Sequence, residues 1–345
     1  MRAPSDVAAA SGAEQGARPT RDRDADAPLR VAMIGAGGFA VRHLELLARE
    51  RGVHVTGHVA RTPGSAEAQA ARFGGRAYAD VHALLDAERI DAAWLCLPPG
   101  AHGAIEEALV AAGVPFFVEK PLSADADTAE RIAEAVAARG LVTAVGYHWR
   151  AFETIPEVRA RLAAGPPVRL VSAAWHSSTP APAWWRHEAE SGGQMVEQAT
   201  HLLDLALHLL GDAEVLHAAE ARAPRDAYPD ADVAEASSAT LRFAGGALGV
   251  VSATCVLGGS DRVELRLHRE GELIVLTQAG VVFDTGAERR ERRHRADPVL
   301  AEDRAFLAAV RAGDPTLVVC SYAEALRTHR LAQRVRALGY AASTP

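Results

Sequence analysis

The chain has 345 residues, with 37 lysine and arginine side chains against 44 aspartate and glutamate side chains, which gives a net charge of −7 at pH 7. Because 49% of the residues are hydrophobic and 23% are charged, the composition is globular and excludes fibrous and wholly disordered chains. The acidic balance argues against a nucleic-acid-binding protein, and the length suits two domains.

Hydropathy and cysteine content set further limits. The longest apolar stretch, 108–118, is far shorter than the ~18 residues of a membrane span, so we expect no membrane partner. The three cysteines, Cys96, Cys255 and Cys320, are far apart and form no C-x-x-C pair, so they predict neither a disulfide framework nor a structural zinc site. Reduced cysteines are typical of the cytoplasm, where we expect this protein.

The N-terminal segment differs from the rest of the chain. Residues 1–28 are rich in Ala, Asp, Arg, Ser and Pro, have no periodic apolar pattern and lack the apolar centre of a secretory signal, so they predict a disordered tail. The change in pattern at residue 29 and the motifs below divide the remainder into a first domain at 29–147 and a second at 148–345.

A strand, a glycine-rich loop and a helix open the first domain. The apolar run 29–34 predicts a strand, and helical apolar spacing follows at 41–50. The intervening G-x-G-x-x-A is typical of a dinucleotide site, where glycines allow a tight turn and a close approach of pyrophosphate to the helix N-terminus. The predicted cofactor-binding residues of this loop are Gly35, Gly37, Gly38, Phe39 and Ala40.

The end of the second predicted strand, 53–60, bears on the choice of dinucleotide. A NAD site carries a carboxylate there for the ribose 2′-hydroxyl, whereas this chain has Arg61 and Thr62. Because a guanidinium can bind a 2′-phosphate through two hydrogen bonds, these residues favour NADP, with NAD as the other possibility. The alternative is that Arg61 is an ordinary surface arginine.

Strands and helices alternate through the rest of the first half. Further strands are predicted at 76–78, 90–97, 114–118 and 141–145, with helices at 104–112 and 126–139. The alternation predicts an α/β domain with a doubly wound, parallel Rossmann sheet. Since ligands bind at the carboxyl ends of such strands, the motifs that follow the strands should meet in one crevice.

The second half has a different pattern. A helix is predicted at 153–164, strands at 168–176, 214–221, 234–243, 247–256, 262–268, 272–277 and 281–284, and two closing helices at 301–312 and 322–338. The hairpin-like spacing predicts an α+β domain with an open, mostly antiparallel sheet, whose free face favours a homo-oligomer, either a dimer or a tetramer. The arginine-rich run 289–295 is interpreted as a solvated surface.

One helix of the second half carries a polar stripe. A continuous helix ending at Leu210 would place Glu197, His201, Asp204 and His208 within an arc of roughly 60°. Such a stripe most often faces water, and a catalytic site is the alternative. A zinc site at Glu197 and His201 is disfavoured because the H-E-x-x-H pattern is absent, so we expect no metal.

Together these motifs resemble the Gfo/Idh/MocA family of oxidoreductases, named after glucose–fructose oxidoreductase, inositol dehydrogenase and MocA. The resemblance rests on G-A-G-G-F-A after the first strand, P-P-G-A-H after the fourth, E-K-P after the fifth and G-Y-H-W-R after the sixth. In the second half, G-G-Q-M-V-E-Q-A-T-H-L-L-D matches the family pattern at His201 and Asp204, but Glu197 replaces the usual Asp and Ala199 the usual Gly.

The resemblance implies an NAD(P)-dependent dehydrogenase or reductase that acts on a secondary alcohol or ketone of a sugar, sugar derivative or cyclitol. It implies that Lys120 polarises the reacting oxygen, that His201 transfers the proton, and that Glu197 orients this pair. Further cofactor contacts are expected from Leu97, Pro98, Pro99, His102 and Glu119, besides Lys120. Expected substrate contacts are Tyr147, His148, Arg150, Trp184, Trp185, Arg186 and Asp204.

Four of the five tryptophans, Trp149, Trp175, Trp184 and Trp185, fall close together in the sequence. Indole faces stack well on the C–H faces of sugar rings, which favours substrate contact for Trp184 and Trp185. Packing at the domain junction is the alternative.

Two other functions stay open. One is a redox-neutral glycoside hydrolase or epimerase-like enzyme with tightly held NAD. The other is a non-enzymatic dinucleotide or sugar sensor, against which an intact Lys120 and His201 pair argues.

Overall fold

The computed structural model describes residues 27–343, so the predicted disordered tail lies outside the described residues up to residue 26. Six parallel strands form the first sheet, in the order β3-β2-β1-β4-β5-β6. They are β1 Leu29–Ile34, β2 Val53–Val59, β3 Arg76–Tyr78, β4 Ala92–Leu95, β5 Phe116–Val118 and β6 Thr143–Val145. The predicted Rossmann sheet is confirmed, and its strand order reverses beside β1, where such sheets bind ligands.

Five helices cover this sheet: α1 Gly38–Leu47, α2 Pro63–Phe73, α3 Val81–Ala87, α4 Ala104–Ala112 and α5 Ala126–Arg139. The predicted helices at α4 and α5 have the observed bounds, whereas α1 begins three residues earlier than its predicted start. The sequence did not predict α2 and α3. The apolar positions of α2 are almost all alanine and α3 is only seven residues long, so neither has a strong apolar period.

The second sheet has eight strands in the order β14-β13-β12-β11-β7-β10-β9-β8. They are β7 Val168–His176, β8 Ala213–Ala221, β9 Ala236–Phe243, β10 Leu248–Thr254, β11 Arg262–Arg269, β12 Glu272–Thr277, β13 Gly280–Asp284 and β14 Arg289–Arg293. Among these described strands only β7 and β10 pair in parallel, so the predicted mostly antiparallel sheet is confirmed. Helices α6 Ile155–Ala164 and α9 Thr200–Leu210 supply residues to the core on one face.

Strand β14 corresponds to the arginine-rich run that was interpreted as a solvated surface. All five of its residues are exposed, as predicted, but they form an edge strand paired with β13. Arg290 and Arg292 extend from this strand to Glu157 of α6. An edge strand has a neighbour on one side only, so its charged side chains can remain in water. Such charges also oppose pairing of the free edge with another sheet.

The predicted continuous helix through Glu197 and His201 is wrong. Two short helices, α7 Glu188–Ser191 and α8 Gln194–Glu197, precede α9. The ladder breaks because the amide of Ala199 donates to the carbonyl of Gln194, five residues back, and that of His201 donates to Gln198, three residues back. The break separates Glu197 from α9, and the polar positions are buried at His201 and Asp204 instead of facing water.

The C-terminal helices connect the two sheets. Helix α10, Pro298–Ala312, places Phe306, Leu307 and Val310 in the core that β1 and α1 share, and the start of α11, Tyr322–Ser343, enters the core on the other face of the first sheet. Further along, α11 packs against α9 and β8. No helix in the described part of the chain is long and apolar enough to cross a membrane.

Candidate active site

The glycine-rich loop between β1 and α1 has the shape of an anion cradle. Gly35 has a φ of +116°, and a Cβ atom there would lie 2.1 Å from the carbonyl oxygen of Cys96, so the position requires glycine. Gly37 and Gly38 have no atom within 4 Å of an added Cβ, which leaves their backbone open to a ligand. Phe39 is exposed at the rim, and Ala40 is fully buried where helix meets strand.

Helix α1 presents its first turn to this open space. Its N-cap, Gly37, has no side chain that could cap the helix, and the first turn carries no acidic residue. Backbone N–H groups at a helix N-terminus attract phosphate oxygens. The loop therefore fits the pyrophosphate of a dinucleotide.

The predicted contacts at the ends of β2 and β4 differ in accessibility. Arg61 and Thr62 are exposed, and within residues 27–343 the Arg61 side chain makes no ion pair or hydrogen bond. Leu97 and Pro98 are half-buried and Pro99 is buried in the loop after β4. The side chain of His102 is directed into α4, where its Nδ1 lies 2.5 Å from the Glu106 carboxylate. Of these residues, Arg61 is the most available to a ligand.

A buried ion cluster holds Glu119, which precedes Lys120 in the turn after β5. His43 of α1 bonds through Nδ1 to Asp303 at 2.9 Å and through Nε2 to Glu119 at 3.1 Å. Burial alone lowers the pKa of His43, but the charges and hydrogen bonds of Asp303 and Glu119 outweigh it and raise this pKa to about 10. Burial also raises the pKa of Glu302, whose carboxylate lies beside them without a partner in the described chain. The imidazolium of His43 therefore holds Glu119 in place.

Lys120 and Glu197 meet between the two sheets. The Lys120 Nζ donates to Glu197 Oε1 at 2.6 Å and to the Glu197 backbone carbonyl at 2.8 Å. The other carboxylate oxygen of Glu197 accepts a hydrogen bond of 2.8 Å from Trp185 Nε1. The longer side chain of Glu197, relative to the Asp usual in the family pattern, thus reaches both partners.

His201 lies in the first turn of α9 among aromatic rings. Its ring centroid is 5.8 Å from that of Trp175 and 6.4 Å from that of Trp149, and its plane makes angles of 20° and 21° with the two indoles. Tyr147 and His148 approach it edge-on. Burial, and then the positive charge of Lys120 and the neighbouring His148, lower the pKa of His201 well below its usual value. His201 is therefore a neutral imidazole at pH 7, able to accept a proton.

Two predicted substrate residues, Arg150 and Asp204, bind one another. Arg150 donates to both carboxylate oxygens of Asp204, at 2.7 and 2.8 Å, and Asp204 also accepts from Thr328 at 2.9 Å. Both side chains are almost fully buried. This buried, bidentate pair joins the turn after β6 to α9 and α11. In the structure the two side chains therefore bind other protein groups and not a ligand.

Replacing Asp204 with alanine is expected to reduce the free energy of unfolding by about 3–5 kcal/mol, because Arg150 would keep a buried charge without its main partner. Urea unfolding followed by circular dichroism measures this loss. The double variant Arg150→Met/Asp204→Ala should recover much of it, since an apolar pair needs no compensation. Unchanged stability of Asp204→Ala, with a raised KM only, would instead identify Asp204 as a substrate ligand.

The remaining predicted substrate residues occupy three different environments. Tyr147 is fully buried and its hydroxyl lies 2.7 Å from the Thr200 hydroxyl. Trp185 is 1% exposed and contacts Glu197, whereas Trp184 is half-buried beside it. Arg186 lies over the Tyr228 ring at 5.3 Å. Substrate contact by these residues stays a prediction.

Three residues that lie beside the predicted site residues were not predicted from the sequence. Trp175 flanks His201 from β7, His43 organises the ion cluster, and Gln194 donates to Gln198 while its own Oε1 is buried without a partner in the described chain. The only signal in the sequence was the position of Gln194 directly after the Gly-Gly pair. The other two become visible only when distant segments are brought together.

Comparisons with known proteins bear on both halves. Residues 29–147 match the model of an oxidoreductase family with a NAD-binding Rossmann fold, and residues 155–274 match the GFO/IDH/MocA C-terminal domain. The chain is 26% identical over 264 residues to myo-inositol 2-dehydrogenase of Thermotoga maritima, which covers 70% of this chain and 76% of that protein.

Two further similar proteins are a reductase named for a sugar nucleotide and a ketoreductase whose structure contains bound NADP. A dTDP-3,4-didehydro-2,6-dideoxy-alpha-D-glucose 3-reductase of Streptomyces violaceoruber is 30% identical over 188 residues, which is 53% of this chain and 55% of that enzyme. The structure of a 3-ketoreductase from Actinomadura kijaniata in complex with NADP and TDP-benzene has a TM-score of 0.79 at 22% identity, and covers 90% of this chain and 98% of that one. The resemblance predicted from the motifs is thus confirmed, and the chain belongs to the Gfo/Idh/MocA family of oxidoreductases.

Proposed function

We propose that this protein is an NAD(P)-dependent oxidoreductase that transfers a hydride between a nicotinamide and a secondary alcohol or ketone of a sugar, sugar derivative or cyclitol. The observation that carries the proposal is the convergence of Lys120, Glu197 and His201 at the carboxyl ends of the first sheet, beside a loop that fits a dinucleotide. When bound, the nicotinamide supplies the hydride acceptor or donor.

The side chains divide the remaining chemistry. Glu197, fixed by Trp185, accepts two hydrogen bonds from the Lys120 ammonium, at Oε1 and at its backbone carbonyl, so that the one remaining N–H bond of Lys120 can polarise the reacting oxygen. Neutral His201 takes the hydroxyl proton during oxidation and returns it during reduction. These roles of Lys120, Glu197 and His201 are part of the proposal.

The proposal is tested by titrating the protein with NADPH and NADH and following fluorescence, and then by measuring nicotinamide absorbance with a panel of sugars and cyclitols. Turnover with at least one member of the panel is the expected result. Binding of neither dinucleotide would refute the proposal.

We infer that NADP is the preferred dinucleotide, because Arg61 is exposed and unpaired among the described residues at the end of β2. Arg61→Ala should weaken NADPH binding by roughly 10- to 100-fold, the loss of about 1.5–3 kcal/mol from hydrogen bonds to a charged group, and leave NADH binding unchanged. Arg49→Ala, an exposed position after the far end of α1, is the matched control. Equal or tighter binding of NADH by the unaltered protein would contradict the inference.

We also infer a cytoplasmic homo-oligomer. The outer face of the second sheet exposes Leu170, Leu248 and Val250 on adjacent strands, and burial of such a patch favours self-association. Light scattering should give a mass that is a multiple of 36.4 kDa, and a Val250→Asp variant should shift it toward that of one chain. A monomer at all concentrations would contradict this inference.

The inferred cytoplasmic location rests on the three unpaired cysteines.

A further inference from the structure

Two histidines from different elements lie against each other in the cleft. The ring centroids of His148 and His201 are 4.8 Å apart, with an angle of 61° between the ring planes. His148 follows β6 and is half-buried, whereas His201 is 4% exposed in α9. His148 also lies 6.3 Å from Phe39 of the glycine-rich loop, so it occupies the space between His201 and the dinucleotide side of the cleft.

The ring nitrogens of this pair are free of protein partners. Within residues 27–343, none of the four nitrogens of His148 and His201 makes a hydrogen bond, and both Nδ1 atoms are buried. His43, by contrast, has both nitrogens bound to carboxylates. An imidazole relays a proton by accepting it at one nitrogen and releasing another from the opposite nitrogen, which requires that both are free.

We propose that His148 is a second proton-transfer residue, which carries the proton of the substrate hydroxyl from buried His201 toward bulk water. The proposal rests on the proposed function. During oxidation the substrate O–H bond breaks and its proton joins one nitrogen of His201, while the C–H electron pair leaves with the hydride to the dinucleotide. The opposite nitrogen of His201 releases a proton to His148, which passes one to solvent. Reduction reverses each step.

Both histidines of the pair have a lowered pKa. Burial lowers the pKa of His148 to about 4; Lys120 and His43 act in the same direction, and Glu119 and Asp297 oppose them. The pKa of His201 is lowered as well. Because neither ring is an imidazolium at pH 7, a proton taken from the substrate is passed on and does not accumulate on either ring.

The first test uses His148→Gln and His148→Asn, which keep a polar side chain but cannot relay a proton. In dilute buffer their turnover should fall on the order of 10²-fold, which is the lower end of the range for a positioned proton-transfer group. Added imidazole should restore much of the lost turnover. His82→Gln, an exposed histidine on α3, is the control and should behave as the unaltered protein. A loss that no buffer relieves, or no loss at all, would overturn the relay.

The second test needs no turnover. In ¹⁵N-histidine spectra of the cofactor-free protein, the resonance that disappears in His201→Gln identifies His201 among the 14 histidines. If the two rings interact, His148→Gln should raise the titration midpoint of His201, because a neighbouring imidazole opposes its protonation. An unchanged midpoint would overturn the proposal. Absence of turnover by the unaltered protein on every substrate would count against the proposed function alone, since this second test would still decide whether the histidines are coupled.

Discussion

Replacing Lys120 with alanine is expected to lower kcat/KM by on the order of 10²–10⁴-fold, a larger change than in the dissociation constant of the dinucleotide, which Lys120 is also expected to contact. The ammonium that Glu197 positions is the only charged donor that the proposal places on the reacting oxygen, and alanine leaves that oxygen without it. Turnover at saturating and limiting substrate, together with a fluorescence titration of the dinucleotide, measures the two effects separately.

The single lysine of the sequence allows a chemical test of the same residue. Lys120 is the only lysine among the 37 lysine and arginine residues, so lysine-directed reductive methylation modifies this one side chain and the N-terminus. The Lys120→Ala variant then serves as the control that is modified at the N-terminus alone. Lys120→Arg retains the charge, but a planar guanidinium does not match a site built for a compact ammonium, and we expect it to remain impaired.

Full biological activity of Lys120→Ala would contradict the enzyme hypothesis and support a dinucleotide or sugar sensor. Methylation that inactivates the unaltered protein, with protection by bound dinucleotide and substrate, would agree with the expected role of Lys120. Methylation without any effect on turnover would argue against that role.

Replacing His201 with glutamine should have an effect of similar size, a loss on the order of 10²–10⁴-fold in the rate of alcohol oxidation, because an amide cannot take the hydroxyl proton. The pH dependence tests the same residue. Since the pKa of His201 is lowered, its neutral form persists below pH 6.5, and kcat/KM should stay level from about pH 8 to pH 6.5 and fall only at lower pH. The His201→Gln variant should lack this acidic limb.

His208 offers a matched control on the same helix. It lies half-buried near the C-terminal end of α9, where burial lowers its pKa to about 4, and it has no contact with Lys120 or Glu197 among the described residues. His208→Gln should therefore keep the turnover and the pH profile of the unaltered protein. If His208→Gln and His201→Gln lose equal activity, the loss reflects α9 as a whole and not proton transfer.

Local sequence was sufficient for the first sheet and the dinucleotide loop. Strand β1 and helices α4 and α5 have the predicted bounds, because each is specified by its apolar pattern and by the residues at its own ends. Strand β3 also has its predicted bounds, although its three residues carry no apolar period. The loop at Gly35 could also be predicted, since its turn depends on glycines within a few positions of one another. The motifs after the strands were predicted to converge because parallel strands end at a common edge.

The polar residues of α8 and α9 could not be placed from local sequence. A continuous 3.6-residue period predicted one stripe, but the helix is interrupted for two residues after Glu197. Glu197 accepts a hydrogen bond from Lys120, which is 77 positions away in the sequence. The resemblance predicted Glu197 and His201 as site residues, yet it did not reveal that Trp185 would donate a hydrogen bond to Glu197.

The sequence by itself therefore determined the fold class and the family, and it predicted Lys120 and His201 as site residues, since these depend on periodic patterns and short motifs. Only the tertiary structure decided what each buried polar group binds. The pair of Arg150 with Asp204 spans 54 positions and the contact of His43 with Asp303 spans 260, and both exist because a buried charge must find a partner wherever the fold provides one. Pairing over such distances is set by packing between the sheets and helices, which no local pattern encodes.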